Sequence, residues 1–343
     1  MSRLCIVMSA CAAVLCTNAA HAQSKPATAS PAPSSAGEPD IAYGAFQRGF
    51  FLTAFREATV RAEKGDVNAM TLLAEIYADG LAVQQDDMKA AQWYRIAADR
   101  GARQAMFALA MFRMAGRGGP RNRDEAAKLF TTAAKLGHPI AAYNLALLYL
   151  EGQLFPQDFT RAAELLRQAA DAGSPEAQYA LATFYKEGRG VPKDLREAGR
   201  LLGAAALAQN TDAEVEYGIA LFNGTGVTKN EAAAGKYLLS AARRGSPIAQ
   251  NRLALMYATG RGIKADPVQA ARWHLIARAG GDSNLFMEDF LRKMKPKDRA
   301  AADAFANAWI SRIPQLAAAS SRPQTSQPAA SPFPPPPAPP ARP

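Results

Sequence analysis

The chain has 343 residues, a formal net charge of +10 and an apolar share of 49%. That is room for two ordinary domains or one extended array, and its basic excess suits an acidic protein, nucleic acid or an anionic membrane surface. Its three cysteines, Cys5, Cys11 and Cys16, fall in a segment that reads as a removable leader. Their loss excludes disulfides, thiol chemistry and zinc-thiolate sites from the mature chain.

Residues 1–22 read as a secretory signal peptide. Arg3 supplies the positive start, and Leu4 to Leu15 is an apolar run too short for a mature membrane span. Ala20-His21-Ala22 gives the small-x-small cleavage pattern. Cleavage near Ala22 is expected, placing the protein in the periplasm or outside the cell. No transmembrane segment is then expected in the mature chain; an uncleaved anchor is the competing reading. Residues 23–40 are Ala-, Pro- and Ser-rich and read as a linker that cannot offset its ordering entropy. Within residues 41–68, Ala45 to Lys64 followed by Gly65-Asp66 predicts a lone capping helix.

From residue 69 to residue 284 the sequence repeats itself every 36 residues without gaps, in six blocks starting at Ala69, Ala105, Ala141, Ala177, Ala213 and Ala249. A period of this size marks a helix-turn-helix array. Each block opens with helically spaced apolar residues, as in Ala177, Leu181, Ala182, Phe184 and Tyr185. A glycine then recurs at 80, 116, 152, 188, 224 and 260, suited to close a helix in the left-handed conformation. Six residues on stands Asp86, Asn122, Asp158, Asp194, Asn230 or Asp266, the expected cap of a second helix. That helix carries alanine at 90, 126, 162, 198, 234 and 270, and again at 97, 133, 169, 205, 241 and 277, which permits close helix approach. Between them lie bulky wedges: Trp93, Leu129, Leu165, Leu201, Tyr237 and Trp273. Most blocks end on glycine, and Ser174-Pro175 and Ser246-Pro247 open the next helix. One block cannot bury its own apolar face, so stability is expected to be a sum over stacked neighbours.

Residues 285–316 predict capping helices, with Ala302, Phe305, Trp309 and Ile313 on one face of Asp298–Ile313. Residues 317–343 form a Pro-rich tail, and the run Pro334 to Pro337 favours polyproline II. It reads as a spacer or as a ligand for a proline-reading module.

The pattern Ala-x3-Leu-Ala-x2-Tyr-x2-Gly-x-Gly-Val, then Asp-x3-Ala, then Ala-Ala-x2-Gly, resembles the Sel1-like repeat family, relatives of tetratricopeptide repeats. The fourth block carries it in Ala177, Leu181, Ala182, Tyr185, Gly188, Gly190, Val191, Asp194 and Ala198; the first adds Trp93-Tyr94, Ala97-Ala98 and Gly101. Arg113 and Leu221 depart from its tyrosine, and Ala82 and Leu154 from its second loop glycine. The fourth block ends in Gln209-Asn210, where asparagine is expected to tolerate the left-handed turn. The resemblance implies an all-α fold, a right-handed superhelical α/α solenoid with helical caps and a concave binding surface. It implies adaptor or scaffold roles, often in bacterial envelopes, where relatives restrain signalling components. Some cysteine-rich secreted relatives bind or hydrolyse β-lactams, but this chain lacks their regularly spaced cysteines.

No catalytic constellation is legible, so no enzyme activity, cofactor or metal is expected. His138 precedes Pro139 in a turn and reads as a helix-entry residue; His274 beside Trp273 reads as packing. The glycines around Arg117 and Arg189 follow helices and lack the Lys-Ser/Thr of a phosphate loop. Two surfaces stand out. The loops joining the two helices of each block carry Arg117, Arg121, Arg123, Arg189, Lys193, Lys229, Arg261 and Lys264, either a solvated edge or a stripe for an acidic protein or anionic lipid. Nucleic acid is disfavoured by export and by the lack of aromatics interleaved with these charges. The first helices of blocks two, three and five are unusually apolar, in Phe107, Met111, Met114, Tyr143, Leu147, Leu150, Val215, Ile219 and Phe222. Most would be core, and any part left outside would suit a partner helix or peptide. The leading expectation is an exported, periplasmic scaffold for protein–protein interaction, regulating an envelope signalling or assembly complex. An enzyme or binder acting on cell-wall or β-lactam-type ligands, and a peripheral binder of anionic envelope surfaces, are the alternatives.

Overall fold

The computed structural model describes residues 40–312. Those residues form 16 α-helices and no strand. The expected signal, the linker up to residue 39 and the tail lie outside the described residues. The described chain divides between Gln85 and Asp86 into two compact units.

The first unit holds α1 (Ile41–Gln47), α2 (Phe51–Glu63) and α3 (Val67–Asp79). The single capping helix expected over Ala45–Lys64 is therefore two helices. Gly49 is the reason: at φ +81° it reverses the chain, and the Phe50 amide donates to the Ala45 carbonyl at 2.9 Å. Ala54, Ala58 and Ala62 form the buried stripe of α2, and Phe55 meets Tyr77 of α3 edge to face at 5.8 Å. Arg61 ties the start of α1 to the start of α3, pairing with Asp40 and Asp66, each at 2.5 Å. Each of those carboxylates also caps a helix: Asp40 accepts from Tyr43 N–H, and Asp66 from Asn68 and Ala69 N–H.

The second unit begins with α4 (Asp87–Asp99), α5 (Arg103–Ala115), α6 (Arg123–Lys135), α7 (Pro139–Glu151) and α8 (Phe159–Asp171). It continues through α9 (Pro175–Glu187), α10 (Leu195–Leu207), α11 (Thr211–Asn223), α12 (Glu231–Arg243), α13 (Pro247–Thr259) and α14 (Pro267–Ala279). Every one of these helices, like α3, has 13 residues. First helices of successive repeats start 36 residues apart, from Val67 to Arg103 and so to Pro247; second helices do the same from Asp87 to Pro267.

The expected caps form this register. Asp86, Asn122, Asp158, Asp194, Asn230 and Asp266 all accept from backbone N–H groups in the first turn of a second helix. The glycines from Gly80 to Gly260 end each first helix with φ between +67° and +76°. All twelve alanines of the second helices are 0–2% exposed. The wedge residues are less uniform. Leu165, Leu201 and Trp273 are buried as expected, whereas Trp93, Leu129 and Tyr237 are only half-buried; the next residue along, Tyr94, Phe130, Leu166, Leu202 or Leu238, is buried in every case. His274 occupies the same position in the last repeat at 0% exposure. One residue, or 100°, of helix rotation separates the two columns.

The turn after α10 also differs from expectation. Gln209 takes the left-handed conformation at φ +63°, and Asn210 instead caps α11, accepting from Ala213 N–H at 2.9 Å. The turn needs its left-handed residue one place before the cap, where Gly101, Gly137, Gly173 and Gly245 stand elsewhere.

The unit closes with α15 (Leu285–Lys293) and α16 (Pro296–Ile310). α16 packs along α14, burying Ala302, Ala306 and Ile310, while Phe305 and Trp309 are half-buried. Trp309 meets Trp273 edge to face at 5.7 Å, and the Arg272 guanidinium lies 3.3 Å from the Phe305 ring centroid. Ile313, expected on this face, lies outside the described residues.

Candidate interaction surfaces

The loops that join first to second helices are built the same way in four repeats. Gly118, Gly190, Gly226 and Gly262 lie at φ +63° to +72° against the start of the preceding repeat's second helix. A Cβ at Gly190 would stand 2.2 Å from the Phe159 carbonyl oxygen, and one at Gly226 1.9 Å from that of Leu195. The loop is thus a clasp between repeats, and only glycine allows the approach. In the third repeat Leu154 keeps a negative φ; Tyr149 stacks on Phe155 at 4.8 Å, and a shallow cavity of about 320 Å³ opens between that loop and α6, with Asp124, Lys128 and Thr131 on its wall.

These clasps position the eight basic residues singled out from the sequence. Arg117 reaches back to Asp87, Nη2 to Oδ1 at 2.6 Å, and lies 4.3 Å from the Phe112 ring centroid. Arg261 repeats the arrangement, pairing with Glu231 and stacking on Phe222 at 4.2 Å. Lys229 joins Glu231 at 3.1 Å, and these two cations hold that carboxyl below its ordinary pKa, Arg261 contributing most. Arg123 reaches forward to Glu151 and to Gln153 at 2.8 Å; Arg189 pairs with Glu187 at 2.9 Å. Arg121, Lys193 and Lys264 are exposed and make no ion pair among the described residues. Five of the eight cations are therefore engaged by carboxylates of this chain.

The apolar first helices divide between core and surface. Leu150 and Val215 are buried, whereas Phe107, Met111, Met114, Tyr143, Leu147, Ile219 and Phe222 are half-buried. Met111, Leu147, Ile219 and Leu255 occupy one repeat position and form an apolar column at 36-residue spacing, interrupted by Thr183. About two helical turns before Leu147 and Leu255, on the same face, stand Ile140 at 49% exposure and Ile248 at 53%. Glu176 and Asp212 hold the corresponding positions of the repeats between, and Glu216 lies beside them, paired with Lys186 at 2.9 Å. Sequence reasoning missed Ile140 and Ile248. The sign was present, an isoleucine directly after the proline that opens each helix, but its outward direction depends on the cap geometry.

Both histidines among the described residues have structural work. His138 Nδ1 accepts from Ala141 N–H at 3.1 Å, capping α7; Nε2–H donates to Gln104 at 2.8 Å, and the ring stacks on Phe107 at 4.6 Å. Burial, with the Arg103 charge nearby, pushes its pKa down to about 4. His274 Nε2–H donates to Glu288 at 2.8 Å, with Arg278 on the same carboxylate at 3.2 Å. Burial lowers the His274 pKa against the opposing pull of Glu288. Among the described residues, no group of three or more His, Cys, Asp or Glu is arranged to hold a metal, and no helix is long and apolar enough to cross a membrane.

The Sel1 repeat model matches six segments: 67–101, 103–138, 139–174, 175–210, 211–246 and 247–282. The chain belongs to the Sel1 repeat family, helical repeat solenoids that generally act as non-catalytic protein-binding scaffolds. The fold is similar to that of a Sel1 repeat protein from Oxalobacter formigenes, with a TM-score of 0.62 and 27% identity over 70% of this chain and 98% of that one. It is also similar to a protective antigen of uropathogenic Escherichia coli with the same repeat fold, with a TM-score of 0.56 and 26% identity over 82% of this chain and 69% of that one. No curated protein matches the sequence.

Proposed function

We propose that the protein is an exported scaffold that holds a protein partner on the first-helix face of its repeats, within an envelope signalling or assembly complex. The observation that carries this reading is the apolar column through Met111, Leu147, Ile219 and Leu255, extended outward by the exposed Ile140 and Ile248. Core packing takes up only part of these half-buried side chains, Ile219 and Leu255 among them, and exposed isoleucines at matched repeat positions are the sort of anchors a partner helix or peptide buries. Export rests on the sequence of residues 1–22. Mature protein recovered from the periplasm should begin at Gln23.

The test is comparative. Cross-linked envelope fractions should yield one specific protein with the natural chain, and Ile140→Glu with Ile248→Glu should reduce its recovery at least tenfold without changing the melting temperature. Equal recovery with both chains overturns the assignment of this face.

A further inference from the structure

The last turns of the second unit bring apolar and cationic side chains onto one helix face. α15 is capped by Asn284, which accepts from Phe286 and Met287 N–H. Its inner side is committed: Met287 and Leu291 are 0% and 4% exposed in the core beneath α14, and Glu288 binds His274 and Arg278. Helical spacing places Leu285, Phe286, Asp289, Arg292 and Lys293 on the outer side. Leu285 is 88% exposed and Phe286 55%, so these neighbouring large apolar side chains stand in water. Asp289 pairs with Arg292 at 3.1 Å and with Lys293 at 2.5 Å. The chain then runs through Lys295 and Lys297, both exposed and without an ion pair among the described residues. Glu288 is turned inward onto His274 and Arg278, so the outward cations Arg292, Lys293, Lys295 and Lys297 stand against Asp289 and, beside Lys297, Asp298, a positive excess of four to two.

We propose that the outer face of α15, with Lys295 and Lys297, docks on an anionic lipid surface. An apolar pair beside a lysine cluster on a short amphipathic helix is the composition of an interfacial helix: the side chains enter the acyl boundary while the cations meet phosphate headgroups. Charge decides among the possible occupants. A second copy docking symmetrically would set this basic face against itself. Residues 313–343 carry Arg322 and Arg342 and no Asp or Glu, so that segment is of like charge. Leu285, 88% exposed, has no groove of this chain beside it among the described residues, so a protein partner would have to supply the whole pocket, whereas a bilayer needs none. The inference is independent of the scaffold reading, because it uses neither the first-helix face nor the loop cations.

The experiment is co-sedimentation of the full mature chain with vesicles of phosphatidylcholine alone and with about one third phosphatidylglycerol. Binding is expected only to the anionic vesicles and should fall with added salt. Each lysine near such a surface contributes roughly fivefold. The triple variant Lys293→Gln, Lys295→Gln, Lys297→Gln should therefore reduce partitioning about hundredfold, and Leu285→Ser with Phe286→Ser at least tenfold. All five side chains are outward, and an unchanged melting temperature verifies the fold of each variant. Equal binding to both vesicle types, binding unaffected by these substitutions, or a self-association in solution that the Leu285/Phe286 variant abolishes while vesicle binding persists, each overturns the proposal.

Discussion

At residue scale the most demanding positions are the second loop glycines. A Cβ at Gly190 meets a backbone oxygen at 2.2 Å, so the neighbour cannot simply rotate away. Gly190→Ala should cost about 3 kcal/mol, combining left-handed strain with overpacking. Ala82 occupies the equivalent position in the first repeat, and it bears φ +64° without glycine's freedom. Relief of roughly 1–2 kcal/mol of strain, less roughly 0.4–1 kcal/mol of glycine's unfolded-state entropy, gives Ala82→Gly a gain of about 0.5 kcal/mol. Denaturant unfolding of both variants checks the pair: the midpoint should drop clearly in one and rise slightly in the other. The glycine pattern was visible in the sequence. That its absence at 82 leaves the loop conformation intact, whereas at 154 it rebuilds the loop around Phe155, was not, because backbone strain depends on what presses on the loop.

Among the elements, α7 shows how a cap couples a helix to pH. His138 caps it only while Nδ1 is unprotonated, since that nitrogen accepts from Ala141 N–H. Its folded pKa, about 4, lies below the ordinary histidine value near 6.5, so the unfolded chain binds the proton more readily. The contribution is therefore complete above pH 6.5 and is lost as pH falls towards 4, amounting to about 3 kcal/mol. His138→Asn keeps a capping oxygen and does not titrate. Stability measured between pH 7 and pH 4 should fall less steeply in that variant; parallel curves would remove His138 as the cause. The helix-entry role was readable from His138-Pro139. The ring's stacking on Phe107 and its bond to Gln104 were not, because both partners stand on α5, 31 and 34 residues earlier. The same distance explains the loop cations: charge alone marked Arg117 and Arg261 as surface groups, whereas each is held by a carboxylate 30 residues back.

For the molecule, stacking sets stability repeat by repeat, and the last repeat depends on the two helices that cover it. α14 contributes Trp273, Leu275 and Ile276 to a core completed by Met287, Leu291, Ala302, Ala306 and Ile310. Ending the chain at Asp282 would expose that face. The shortened protein should melt at a lower temperature and self-associate on size-exclusion chromatography, through a new apolar patch. A monomer of unchanged melting temperature would show that α15 and α16 are dispensable to the array.

What the sequence determined by itself was the period, the caps and the stops. These are local matters: an Asx side chain reaches its own helix start, a glycine relaxes its own φ, and repetition every 36 residues makes each sign count six times. The family followed from the same residues. Tertiary structure alone decided how far each wedge residue enters the core, which loop cations are taken by carboxylates, and which apolar side chains are left outward at Ile140, Ile248, Leu285 and Phe286. Most of those outcomes depend on contacts between residues in neighbouring helices, as in Arg117 on Asp87 and Arg261 on Glu231, set by how those helices rotate against each other, and a periodic pattern carries no record of that rotation.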